Sequence, residues 1–132
     1  MKRICLLGGV AALMSLQVMA EPTSYRCTYQ ESTYEAAFME APATRQCPNS
    51  HCYYDLVIDE AAASASVNGT TGYQLQVEGN TLTLSRSAVN PIMGGTDTAT
   101  FTLERDSGRF VGKKTTSPEV TVTSFGSCNT QP

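Results

Sequence analysis

The sequence predicts an all-β fold: a small antiparallel β-meander, closed as a sandwich or barrel, with one short helix and two disulfide staples. Three observations carry this. Short runs alternate apolar with polar residues, turn residues separate the runs, and no strand–helix alternation runs through the chain. Four cysteines follow a leader-like segment, an even number that suits disulfides.

The leader decides how those cysteines are read. Lys2 and Arg3 form a basic start, Ile4 to Val18 is mostly apolar, and Val18-Met19-Ala20 offers a cleavage site before Glu21. This is the anatomy of a secretory signal peptide, residues 1–20, and its apolar run is short for a membrane span. The expectation is a periplasmic or secreted protein with no stable membrane insertion after cleavage. Cys5 leaves with the leader, and residues 21–132 form a single β-domain. Seven Lys/Arg then stand against twelve Asp/Glu, a formal charge of −5. With no basic cluster larger than Lys113-Lys114, nucleic acid is not an expected partner. Six tyrosines and no tryptophan complete a composition that suits strands.

The elements follow in order. Ser24 to Gln30 sets Tyr25, Cys27 and Tyr29 against polar neighbours, the two-residue period of a strand. Thr33 to Ala41 reads as one or two helical turns. Ser32-Thr33-Tyr34-Glu35 fits a capping box, Tyr34 and Phe38 stand four apart, and Pro42 ends the run. An extended continuation from Gln30 is the alternative, since so short a helix is marginal alone. Pro42 to Ser50 is loop by composition. Cys52 to Asp59 is a strand with Cys52, Tyr54, Leu56 and Ile58 on one face. Ala61 to Val67 is a weak strand ending in the turn Asn68-Gly69.

Tyr73 to Ser85 is the clearest hairpin. A two-residue turn at Gly79-Asn80 pairs Glu78 with Thr81, Val77 with Leu82 and Leu75 with Leu84, so apolar residues share a face. Ser87 to Thr98 is a long connection. Thr98 to Glu104 and Arg109 to Lys114 form a second hairpin in one of two registers: Leu103 opposite Val111, or opposite Phe110. Val120 to Phe125 is the last strand. Of these eight runs one is weak, and the expectation is six or seven short strands, most joined as hairpins.

Three disulfide connectivities are open to four cysteines. The preferred one bonds Cys27 to Cys128, fastening the first strand to the last across a loop of about 100 residues, a constraint of roughly 4.7 kcal/mol by chain entropy. Cys47–Cys52 then closes a small loop around Asn49, Ser50 and His51.

No catalytic or cofactor-binding motif stands out. Cys47, His51 and Cys52 can be drawn as zinc ligands, but their spacing matches no established pattern and export favours the disulfide, so no metal is expected. His51 is the chain's single histidine and lacks a nucleophile context, so no catalytic residue is assigned and the protein is read as a non-enzyme. Two loops are candidates for recognition: Asn49, Ser50 and His51 with Tyr53 at their base, and the loop bearing Ile92 and Met93. Rigid loops lose little entropy on binding, and tyrosine gives amphipathic contact area.

Tyr25-Arg26-Cys27, together with size, export and strand pattern, resembles the periplasmic inhibitors of C-type lysozyme over three residues. Those proteins carry a Ser-x-Ser-Gly loop that enters the enzyme. Here Ser85-Arg86-Ser87 is followed by Ala88, so the resemblance implies no inhibitory loop and the family is not assigned.

The leading reading is an exported binding module acting through loops on an unidentified protein partner, such as an envelope-directed hydrolase or toxin that it inhibits. The alternatives are a carrier of a small apolar ligand inside a barrel lined by Leu56, Leu75, Val77, Leu82 and Phe101, or a structural envelope component. An enzyme centred on His51 comes last.

Overall fold

A computed structural model describes residues 21–48, 52–116 and 119–132. Among them nine strands form: β1 (Thr23–Ala36), β2 (Ala43–Gln46), β3 (Tyr53–Asp59), β4 (Ser64–Val67), β5 (Thr70–Glu78), β6 (Thr81–Val89), β7 (Thr96–Glu104), β8 (Arg109–Thr116) and β9 (Val120–Gln131). Each pairs antiparallel with its neighbour in the order β2-β1-β3-β4-β5-β6-β7-β8-β9, and β1 also pairs with β9. The meander therefore closes: β1 and β3 to β9 make an eight-stranded barrel, and β2 pairs with β1 beyond β3, on the edge of β1 opposite β9. Between the sandwich and the barrel left open by the sequence, the β1–β9 ladder decides for the barrel.

The hydrophobic pattern sets the registers. Val77 faces Leu82 and Leu75 faces Leu84, as the turn chemistry requires, and Gly79 takes the positive φ of 59° that the tight turn needs. In the second hairpin Leu103 faces Phe110, which selects the four-residue turn. That register buries Phe110 and leaves Val111 on the outside.

Inside, Leu56, Leu82, Leu84, Phe101, Leu103 and Phe110 are fully or almost fully buried. Phe101 stacks on Phe110 at 6.0 Å, and Tyr54 meets Phe101 edge-on at 4.9 Å. An eight-stranded barrel has just enough interior for its own side chains or one small ligand. Here aromatic rings fill it. Val77 is not part of that filling, being 42% exposed at the end of its strand, which corrects the expected lining.

Both disulfides have the expected pairing. Cys27 and Cys128 are direct register partners on β1 and β9, bonded across the closing seam. Cys47 and Cys52 are bonded with Cα atoms 5.9 Å apart, joining β2 to β3 beside β1.

Four expectations need correction. Thr33 to Ala36 is strand, not helix, because β1 carries a bulge: Tyr29 pairs with Gly126 but Ser32 with Ser124, so one extra residue enters β1. The bulge switches the inward positions from odd to even numbers, and Ser32 is buried two turns of the pleat beyond Cys27. Phe38, expected on the helix with Tyr34, is 75% exposed beyond the strand. Ala43 to Gln46, read as loop, pairs with Tyr34 to Glu31 as β2. Finally, β9 continues through Cys128 to Gln131 along β1, well past Phe125, and the strand total rises to nine.

Candidate functional site

Because alternate strands run in opposite directions, the connections sort onto two ends of the barrel. One end carries the turns 60–63, 79–80 and 105–108, together with the end of the β1–β9 seam where Ser24 pairs with Gln131. Arg105 ties these turns together. Its Nη1 meets Glu60 Oε2 at 2.7 Å, its Nη2 donates to the Gly79 carbonyl at 3.1 Å, and its backbone N–H donates to the Asn80 carbonyl at 2.8 Å.

The opposite end carries the segment 37–42, the turn 68–69 and the loop 90–95. The sequence-predicted recognition loop of Ile92 and Met93 therefore lies at this end. Asn49, Ser50 and His51 fall outside the described residues, while the Cys47–Cys52 bond that frames them is present. Ile92 is 88% exposed and Met93 57%. Neither folds over the sheet, yet their loop is held in shape. The Asn90 side-chain oxygen accepts from the backbone N–H groups of Ile92 and Met93, both at 2.9 Å. The Asn90 amide donates to the Asp97 carboxylate at 3.2 Å, and its backbone pairs with Gly94 and Gly95. Val89, at 73% exposed, and Phe38 belong to the same end. Sequence reasoning named Ile92 and Met93 but missed these two, since Val89 reads as part of the Ser87 to Thr98 connection, where the structure extends β6, and Phe38 reads as helix.

Tyr53 is placed differently from expectation. It points outward from β3 and its ring lies 4.0 Å beneath the Arg26 guanidinium. Arg26 forks onto Asp55 at 2.8 and 3.0 Å, and this pairing holds the Asp55 carboxyl below its usual range. Tyr53 is thus partly covered by a surface ion pair, and contributes less free area than a bare loop tyrosine.

The rim of this end is uneven. The β1–β9 ladder runs up to Ala36–Val120 and the β6–β7 ladder to Val89–Thr96. The β4–β5 hairpin stops at Val67–Thr70, and the β5–β6 ladder stops at Gln74–Ser85. The wall is therefore low on the β4–β5 side, and the inner face of the taller strands stands above it.

Lys114 lies on that inner face, at the alternation set by Phe110 and Gly112. It is half-buried, with Nζ 5.0 Å from the Tyr54 ring centroid, and burial lowers its pKa. Burial pushes the Tyr54 hydroxyl well above its ordinary value, with Tyr29 adding to the shift. Beneath them Ser32 and Ser124, both buried, satisfy each other at 2.8 Å. Among the described residues no group of three or more His, Cys, Asp or Glu side chains forms a metal-binding cluster. Comparison of this chain with protein-family models, with curated proteins and with solved structures finds no match.

Proposed function

We propose that the protein is an exported, non-catalytic binding module that engages a protein partner through the loop end of its barrel. Inhibition of an envelope-directed hydrolase or toxin is the concrete form of this reading. One observation carries it: Phe38, Val89, Ile92 and Met93 are each more than half exposed and all belong to one end, while Arg105 laces the other. Phe125, also 57% exposed, lies on β9 away from this end, so the concentration is partial, but apolar groups at one end still favour an interaction surface over a random scatter. The Asn90-centred loop supports it further, because side chains presented from a fixed backbone lose less entropy on docking. Two disulfides in a domain of this size fit an oxidising compartment.

The carrier reading receives less support. The residues it needs as cavity lining are packed against one another, and Phe101 and Phe110 occupy the interior.

The test is retention of a partner by oxidised protein from an envelope extract of its own source. The comparison includes an Ile92→Asp/Met93→Asp double variant and a Val77→Asp variant at the laced end. Wild type and Val77→Asp are expected to retain a common partner that the double variant loses. Equal retention by all three, or a co-purifying apolar small molecule in native mass spectrometry, would overturn the proposal.

A further inference from the structure

We infer that the inner face of β6 to β8, standing above the low β4–β5 side of the rim, is a site for one anionic group, a carboxylate or a phosphate, held between Lys114 and Arg86. The argument begins with register. Lys114 pairs with Ala99 on β7, and Ala99 pairs with Arg86 on β6. The two cations therefore face inward on one row, separated by an alanine, with backbones two strand spacings or about 10 Å apart. Long side chains from both flanks can reach a shared anion, and the methyl of Ala99 leaves room for it between them.

Among the described residues neither cation has a carboxylate within ion-pair distance. Among the described residues Lys114 makes no ion pair and no hydrogen bond, and its one polar contact is the face of Tyr54. Arg86 uses Nε on the Thr71 carbonyl at 3.1 Å and has no carboxylate partner there. A half-buried ammonium gives up part of its hydration, and a single cation–π contact returns only part of that loss. The missing complement is negative charge. Asp97 sits on the same face one step up its strand, but its carboxylate takes the Asn90 amide that shapes the neighbouring loop.

Lys113 gives the contrast. It is adjacent in sequence, points outward and is exposed, the ordinary situation for a strand lysine. The chain as a whole is acidic, with a formal charge of −3. A positive row inside an acidic protein does not attract anions in general, so it selects one that fits where the wall is low. The inference shares the loop end with the proposed function but needs no protein partner.

The experiment is an amide chemical-shift titration of oxidised, isotope-labelled protein at fixed ionic strength. The probes are inorganic phosphate and, separately, N-acetylglutamate. Saturable shifts are expected at Arg86, Ala99 and Lys114. Lys114→Gln or Arg86→Gln should weaken binding by about tenfold or more, the usual worth of a charged hydrogen bond, while Lys113→Gln stays within about twofold. Saturation by phosphate alone assigns a phosphoryl ligand, by N-acetylglutamate alone an acidic side chain, and by both a bare anion site. Unsaturable or absent shifts on this row with both probes overturn the inference. So does an equal loss from Lys113→Gln and Lys114→Gln, which would mark unspecific charge attraction. The wild-type titration decides the matter even if a variant misfolds. Partner loss by the Ile92→Asp/Met93→Asp variant is read separately, so either idea can fail alone.

Discussion

At Gly112 an added Cβ would stand 2.9 Å from Cδ1 and Cε1 of Phe101 and 3.1 Å from Cζ of Phe110. Both rings are buried among other core side chains and have little freedom to retreat. Gly112→Ala is therefore expected to cost about 1–3 kcal/mol by overpacking. The gain from a stiffer unfolded chain, about 0.4–1 kcal/mol, is smaller. Urea unfolding monitored by tyrosine fluorescence measures the balance, and an unchanged midpoint would mean the interior is looser than described. Two other residues set opposite responses to alkali. Lys114 has a lowered pKa in the folded state, so its contribution to stability is fully present above the ordinary lysine value of 10.5 and is lost as pH falls through its folded pKa. Lys114→Met should thus be more stable than wild type at neutral pH, with the difference shrinking as pH approaches 10.5. Tyr54, raised mainly by burial, acts the other way. Its contribution is present below the ordinary tyrosine value of 10.0 and is lost as pH rises toward its folded pKa. Tyr54→Phe should flatten the alkaline side of the stability profile, and thermal melts across pH 7 to 11 separate the two effects.

The two disulfides make unequal demands as elements of the fold. Cys27–Cys128 joins residues 101 apart, whereas Cys47–Cys52 joins residues 5 apart. The loop-entropy estimate gives roughly 4.7 kcal/mol for the first and about 2 kcal/mol for the second. Paired Cys→Ala variants unfolded in urea should keep that ranking. Only the short bond's loss should speed amide exchange at Cys47, whose N–H donates to the Gln30 carbonyl at 2.7 Å. A reversed ranking would remove the entropic account. How far these elements were legible in the sequence depends on whether side-chain period and backbone agree. In the β5–β6 hairpin, alternation and turn residues specify the same register, and it formed as read. In β1 the bulge after Tyr29 breaks the alternation, so a strand looks like a short amphipathic helix. In β2 every residue is exposed and the strand relies on β1 for its partners, leaving no hydrophobic pattern to detect. The inward row of Lys114, Ala99 and Arg86 was illegible for a related reason. Pairing across three strands brings it together, and nothing in the local sequence distinguishes Lys114 from Lys113.

At the scale of the molecule, the barrel has one laced end and one end of exposed loops. Substituting Ile92 and Met93 by serine should leave the thermal midpoint nearly unchanged, since surface positions away from the core shift stability by no more than about 0.5 kcal/mol. The same double variant should self-associate less at high concentration, measured by sedimentation velocity; a large drop in midpoint would show that the loop supports the fold. The Cys27–Cys128 bond has a further consequence for how the protein bears force. It short-circuits the chain, so a pull applied on either side of it reaches that covalent link after straightening only the segments before Cys27 and after Cys128. Tension then bypasses the barrel, and every strand from β3 to β8 lies outside the loaded path. A protein anchored by one terminus and carrying a fusion at the other would keep its loop end intact under loads that would unravel the same barrel without its seam bond.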